Sequence, residues 1–207
     1  MKNTNKKAYP LLQDWLQFPG VMMSKTKRWG HFKPQTQKQT VLRHTLEQIL
    51  TTILALAIEW ANDNKFSPLY FLTAATTHDF GERGKYDDDY ITKNGANKAK
   101  IIARERNRVY KFFERLPLPE PEKSCIVSFL KNTYELQYQS DKDGRFFNIL
   151  EKLGYFSFAL KQYRAGRKNF KKVIRSHHQE LLKACKKYKS IKILYEPYLS
   201  EIKNILK

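Results

Sequence analysis

The chain has 207 residues, 41% of them apolar and 14% aromatic, and a formal net charge of +19 from 39 Lys and Arg against 20 Asp and Glu. This excludes a disordered chain and fits one domain that can enclose a core. Eight Gly and eight Pro exclude a collagen-like or linker-like composition, and two cysteines, Cys125 and Cys185, exclude a disulfide framework.

The charge is unevenly placed. Residues 1–39 hold eight bases and one acid (+7), residues 40–160 hold seventeen and sixteen (+1), and residues 161–207 hold fourteen and three (+11). A near-neutral body therefore carries two cationic ends. These suit a nucleic acid, an anionic surface or an acidic partner, or serve as solvated faces. The N-terminal lysines precede no apolar signal-peptide core. The longest strongly apolar stretch, Ile49 to Trp60, is shorter than a bilayer span. A soluble, cytoplasmic protein is expected.

In chain order, the pattern predicts a helix over Val41 to Ala61, apolar on most sides from Ile49 onward. Such a helix is expected at the centre of a bundle. Asn62-Asp63-Asn64 ends it, and Pro68 suits the first turn of a second helix running to about Asp79. Residues 80–96, with Gly81, Gly84, Asp87-Asp88-Asp89 and Asn94-Gly95, read as a loop. Helices are predicted at about 97–116, at 122–138 after Pro117, Pro119 and Pro121, and at 145–163 after a turn at Asp141 to Gly144. The tail suggests two more, near 167–189 and 191–206. No repeat and no period-two alternation occurs, so the fold class is all-α. Three regions are delimited: a basic N-terminal segment (1–39), a helical core (40–162) and a basic helical C-terminal extension packed on it (163–207).

The residues that interrupt apolar patterns carry the chemistry. Phe147, Leu150, Gly154 and Phe158 form one inward stripe, and Glu151 falls within it. A carboxylate there must be ion-paired, bound to a metal or able to snorkel out at the helix edge. His44 lies one turn before the apolar run of the first helix, as a core histidine or a ligand. His78 and Asp79 close the second helix, and Glu82 and Asp87 follow. Imidazole and carboxylate together suit Mn, Co, Fe or Zn better than Ca.

Taken in order, these residues resemble the HD-domain metallophosphohydrolases, whose ligands run His … His-Asp … Asp on a helical bundle. The resemblance spans Arg28 to Leu160 and looks closest to the 5′-deoxynucleotidase branch. Arg28-Trp29-Gly30 is similar to the branch's Arg-Trp motif, and Val41-Leu42-Arg43-His44-Thr45 to its first-histidine block. His78-Asp79-Phe80-Gly81-Glu82 matches His-Asp-x-x-Glu. Asp87 falls at the spacing of a Gly-Asp pair, with Tyr86 in place of the glycine. Arg104-Glu105-Arg106 is similar to the charged block that opens the next helix. Arg145 to Leu153 resembles the last block, with Glu151 where the family has its metal-binding Asp. Asp141 and Asp143 are nearby alternatives in a turn, and Arg43, where the branch usually has Glu, is a second departure.

The resemblance implies an HD-domain bundle in which His44, His78, Asp79 and Glu151 hold one divalent ion (Mn, Co, Mg, Fe or Zn). It implies Glu82 as general base or water-orienting group and Asp87 at the leaving oxygen or sugar. Arg28 would grip a phosphate, and Trp29 would offer a face to sugar or base, or else act as a core tryptophan. The expected activity is phosphate removal from (deoxy)nucleoside 5′-monophosphates. The alternatives are a phosphodiesterase or nuclease on a larger phosphate ester, and a degenerate HD fold that binds a nucleotide or partner without turnover. The expected partners are a nucleotide or other phosphate ester, a nucleic acid or anionic surface at the basic ends, and a second copy in a homodimer.

Overall fold

The computed structural model describes residue 21 and residues 23–29, 39–82 and 98–207. Eight α-helices account for most of them: α1 (Val41–Trp60), α2 (Pro68–Thr77), α3 (Lys98–Phe113), α4 (Glu122–Glu135), α5 (Lys142–Arg164), α6 (Lys171–Cys185), α7 (Lys189–Tyr195) and α8 (Leu199–Leu206). Among the described residues, extended pairing is confined to an isolated antiparallel bridge between Lys27 and Thr40. The all-α expectation holds.

Local chemistry sets the helix ends. Thr40 caps α1, its side chain accepting from the Arg43 amide, and Ser67 does the same for α2, whose first residue is Pro68. The Asn62-Asp63-Asn64 stop works through Asp63, which takes φ 59°, a left-handed conformation that Asp tolerates. Asp141 caps α5 by accepting from the Gly144 amide at 2.8 Å, so it serves the helix end rather than a metal. The last predicted helix is broken at Glu196–Tyr198, where Pro197 forces a 3-10 turn between α7 and α8. Of the expected 80–96 loop, Phe80 to Glu82 form a turn; the remainder lies outside the described residues.

The main core draws Phe71, Ala74 and Ala75 from α2 and Phe146, Phe147 and Leu150 from α5. Helices α6 to α8 add Ile174, Leu181, Ile191, Tyr195 and Ile202 to the same cluster. A smaller cluster of Val109, Phe113, Val127 and Tyr134 joins α3 to α4.

Helix α1 corrects the sequence reading. Instead of being enclosed at the bundle's centre, it buries Val41, His44, Thr45, Gln48, Thr52, Ala55, Leu56 and Glu59. Five of those eight are polar. Leu46, Leu50, Ile53, Leu54 and Trp60 are exposed on the opposite side. Two of these polar residues, His44 and Glu59, meet polar partners inside the fold, and the large apolar residues lie outside. By length and composition, with mean hydropathy 1.3, α1 is also long and apolar enough to cross a membrane, contrary to the estimate from Ile49–Trp60 alone. Its inner face is nevertheless bound into the bundle. There the Glu59 carboxylate accepts from the backbone N–H and hydroxyl of Ser190.

Candidate metal centre

Three elements deliver the site. Helix α1 carries His44 in its first turn. Helix α2 ends at His78, whose N–H still bonds to the Ala74 carbonyl, and Asp79 follows in the turn. Helix α5 presents Glu151 midway along its length. His44, His78 and Asp79 are buried, and Glu151 keeps 13% of its side chain exposed.

The donor atoms converge. His78 Nε2 lies 3.4 Å from His44 Nε2, 3.1 Å from Glu151 Oε1 and 3.3 Å from Asp79 Oδ2. Asp79 Oδ2 is 3.7 Å from His44 Nε2. One ligand atom each from His44, His78 and Glu151 lies within 4.8 Å of the others. Ligands at about 2.1 Å from a shared ion stand roughly 3.0–3.4 Å apart, the edge of an octahedron or a tetrahedron of that radius. The three separations from His78 Nε2 fit that spacing, and the 3.7 Å between His44 and Asp79 is somewhat longer. Two imidazoles and two carboxylates also make a donor set of the right chemistry for a borderline divalent cation.

The orientation of His78 is fixed from behind. Its Nδ1 lies 2.9 Å from the Ala75 carbonyl, which accepts a hydrogen bond from Nδ1–H and leaves Nε2 facing the cluster. Gln137 Nε2 donates to the His78 carbonyl at 3.2 Å. His44 stacks on Tyr155, ring centroids 5.8 Å apart.

Electrostatics favour a cation. Burial pushes the His78 pKa down, but the Asp79 carboxylate beside it, with Glu151, outweighs burial and raises it to about 9. Burial pushes Asp79 up, and the charges of His78 and Arg28 overcome this, holding it well below the usual carboxylate range. A positive charge is thus already favoured at this point, and a divalent ion would replace the His78 proton.

The two residues expected to meet substrate separate. Arg28 is at the site: its Nη1 donates to Asp79 Oδ2 at 2.7 Å, and its guanidinium lies over the Tyr155 ring at 5.3 Å. Trp29 is not a face offered to sugar or base. It is buried in the core, stacked on Phe158 at 5.5 Å, with its Nε1 donating to Gln39 Oε1 at 2.9 Å. The reason is local: Trp29 takes φ 62°, while Arg28 N bonds to the Gln39 carbonyl, and the two side chains diverge.

Glu82 is buried on the turn after Asp79, its N–H bonding to the Asp79 carbonyl. Gly81 lets α3 approach this turn, for a Cβ there would stand 2.7 Å from the Glu105 Cβ. Asp87 lies outside the described residues. Arg43 points away from the cluster and pairs with Glu47 at 2.9 Å on the exposed side of α1. Tyr155, which touches both His44 and Arg28, was missed in the sequence. The signal was present, since Tyr155 is one turn beyond Glu151 on α5.

No family model matches the sequence, and no curated protein matches it significantly. Among solved structures, the chain superposes on an HD-domain phosphohydrolase from Listeria innocua with a TM-score of 0.69 over 92% of this chain and 88% of that one, at 13% identity. The fold is that of the HD domain. At this identity the likeness speaks for the fold alone, and the case for chemistry rests on the grouping of His44, His78, Asp79 and Glu151 in this chain.

Proposed function

We propose that the chain is a metal-dependent phosphohydrolase acting on (deoxy)nucleoside 5′-monophosphates. One observation carries the reading: the imidazole nitrogens of His44 and His78 and a Glu151 carboxylate oxygen, from three separate helices, lie within 4.8 Å of one another in a largely buried setting, with Asp79 Oδ2 3.3 Å from His78 Nε2. The solved structure it superposes on is an HD-domain phosphohydrolase, which supports the same class of reaction.

In this reading His44, His78, Asp79 and Glu151 hold one divalent ion. Such an ion supplies a water of lowered pKa and neutralises charge on a phosphoryl group. Arg28 holds the Asp79 carboxylate in place by its 2.7 Å bond, and its planar fork suits a phosphate oxygen alongside. Glu82 takes the proton of the attacking water, and Asp87 serves the leaving oxygen. Metal identity and base preference are outcomes of the experiment below.

The test is a screen of Mn, Co, Mg, Fe and Zn with the full chain on all deoxy- and ribonucleoside monophosphates, beside Asp79→Ala. Metal-dependent phosphate release is expected from the native chain, with a loss of at least about 100-fold in Asp79→Ala, which removes a ligand and strands Arg28. No turnover with any metal, together with no bound metal by elemental analysis, overturns the proposal. Cleavage of oligonucleotides alone, falling steeply with salt, would move the substrate to a larger phosphate ester.

A further inference from the structure

One aromatic ring, that of Tyr155, ties together the elements that carry the metal cluster. On α5 it stands one turn after Glu151, so the two side chains share a face of the helix. Its ring is nearly parallel to that of His44, with 18° between the planes and centroids 5.8 Å apart. The Arg28 guanidinium lies over the same ring at 5.3 Å, and Arg28 Nη1 in turn donates to Asp79 Oδ2 at 2.7 Å. Tyr155 thus adjoins the ligand from α1, shares a helix with Glu151, and reaches Asp79 through Arg28. A flat π-face suits both of its polar neighbours, since an imidazole stacks on it and a guanidinium is drawn to it. Two further contacts brace this part of α5. Trp29 meets the Tyr155 ring edge-on at 5.7 Å. From α6, His177 lies against the same ring, centroids 5.6 Å apart, and one turn later Glu180 pairs with Lys152, the chain neighbour of Glu151.

We propose that Tyr155 is a positioning residue of the metal centre: its ring sets the plane of the His44 imidazole and holds Arg28 against Asp79, and His177 of α6 seats that ring. The inference rests on the metal-binding reading above. The terminal torsion of a histidine is broad, so the direction of Nε2 is fixed by what the ring packs against. For His78 the Ala75 carbonyl fixes it; for His44 the flat neighbour is Tyr155. An aliphatic side chain at position 155 would leave the imidazole free to swing and would take the π-face from beneath Arg28. The contacts involve the ring rather than the hydroxyl, so phenylalanine should serve in its place. The basic C-terminal extension then becomes part of the site: α6 carries none of the four ligands, yet it closes the far side of the residue that orients them.

The test uses the full chain and Co²⁺, whose affinity is read by competition with a chelator and whose ligand geometry is read from its visible absorption. Tyr155→Phe is expected to keep the native affinity and spectrum. Tyr155→Leu is expected to bind Co²⁺ about 10-fold more weakly, the order lost when a group that orients a ligand is removed, and to shift the visible bands. His177→Ala should move the affinity in the same direction by a smaller factor. Phe156→Leu is the control for general loosening of α5, because Phe156 packs on Tyr195 and Tyr198 instead of on the cluster. It is expected to lower the melting temperature and leave Co²⁺ binding as in the native chain. Native affinity and spectrum in Tyr155→Leu overturn the proposal while leaving the ligand set and the proposed activity standing. Equal weakening in Phe156→Leu overturns it as well, and unchanged affinity in His177→Ala overturns the part given to α6. A native chain that binds no Co²⁺ overturns this inference together with the metal reading beneath it.

Discussion

Glu151 shows how side-chain length can be matched to a backbone. Its Oε1 stands 3.1 Å from His78 Nε2, so the longer carboxylate reaches the histidines from where α5 actually runs. Glu151→Asp would withdraw that oxygen by about 1.5 Å, one C–C bond. We expect metal affinity to fall by about 10- to 100-fold, the order seen when ligand placement is disturbed, as read by competition with a chelator. Unchanged affinity would show that the fourth ligand lies elsewhere. His44, His78, Asp79 and Glu151 were legible in the sequence because Glu151 spoils an apolar stripe, His44 precedes an apolar run, His78-Asp79 closes the second helix, and their order resembles a known ligand set. The role of Trp29 was not legible. Adjacent residues share a motif in the chain, but whether their side chains share a direction depends on φ, and the 62° at Trp29 sends the indole to the core while Arg28 stays with Asp79.

Among elements, the join between α1 and α7 carries a buried ionisable group that has no part in the metal cluster. Glu59 Oε1 accepts from Ser190 N at 2.7 Å and Ser190 Oγ at 2.6 Å, and Oε2 accepts from Asn64 Nδ2 at 2.7 Å. A carboxylate from one helix thus satisfies an orphan N–H in the first turn of another, 131 residues away. Glu59→Leu leaves that N–H, the hydroxyl and the Asn64 amide without their acceptor. A loss of about 2–4 kcal/mol in urea unfolding is expected, with Glu59→Gln, which keeps an acceptor oxygen, losing less. Equal losses would place the contribution in side-chain volume instead. The existence of most helices was legible from periodicity, caps and the Pro clusters. Which face of α1 turned inward was not. Its apolar residues outnumber its polar ones, and the choice was made by partners distant in sequence: His78, Glu151 and Ser190.

For the whole molecule, the partition of charge was visible in the sequence, and the +1 middle contains all four residues of the candidate metal centre. What the bare count could not show is that the basic C-terminal helices also bury ionisable groups in the shared core. His177 of α6 is buried against Tyr155, ring centroids 5.6 Å apart. Burial pushes its pKa down to about 4, and the Lys152 charge acts in the same direction. An unfolded histidine titrates near 6.5, so between pH 6.5 and 4 the unfolded chain takes up a proton at this residue that the folded chain refuses. The neutral His177 therefore contributes stability that is fully present above pH 6.5 and is lost as pH falls toward 4. On going from pH 7 to pH 4.5 the native chain should lose about 2–3 kcal/mol more than His177→Gln, which is polar but does not titrate. Urea unfolding of both proteins at the two pH values measures the difference. It isolates His177 from the carboxylates, because those titrate alike in both chains. Parallel losses would mean that His177 is protonated in the folded state, and that α6 has room beside Tyr155 for water to reach it.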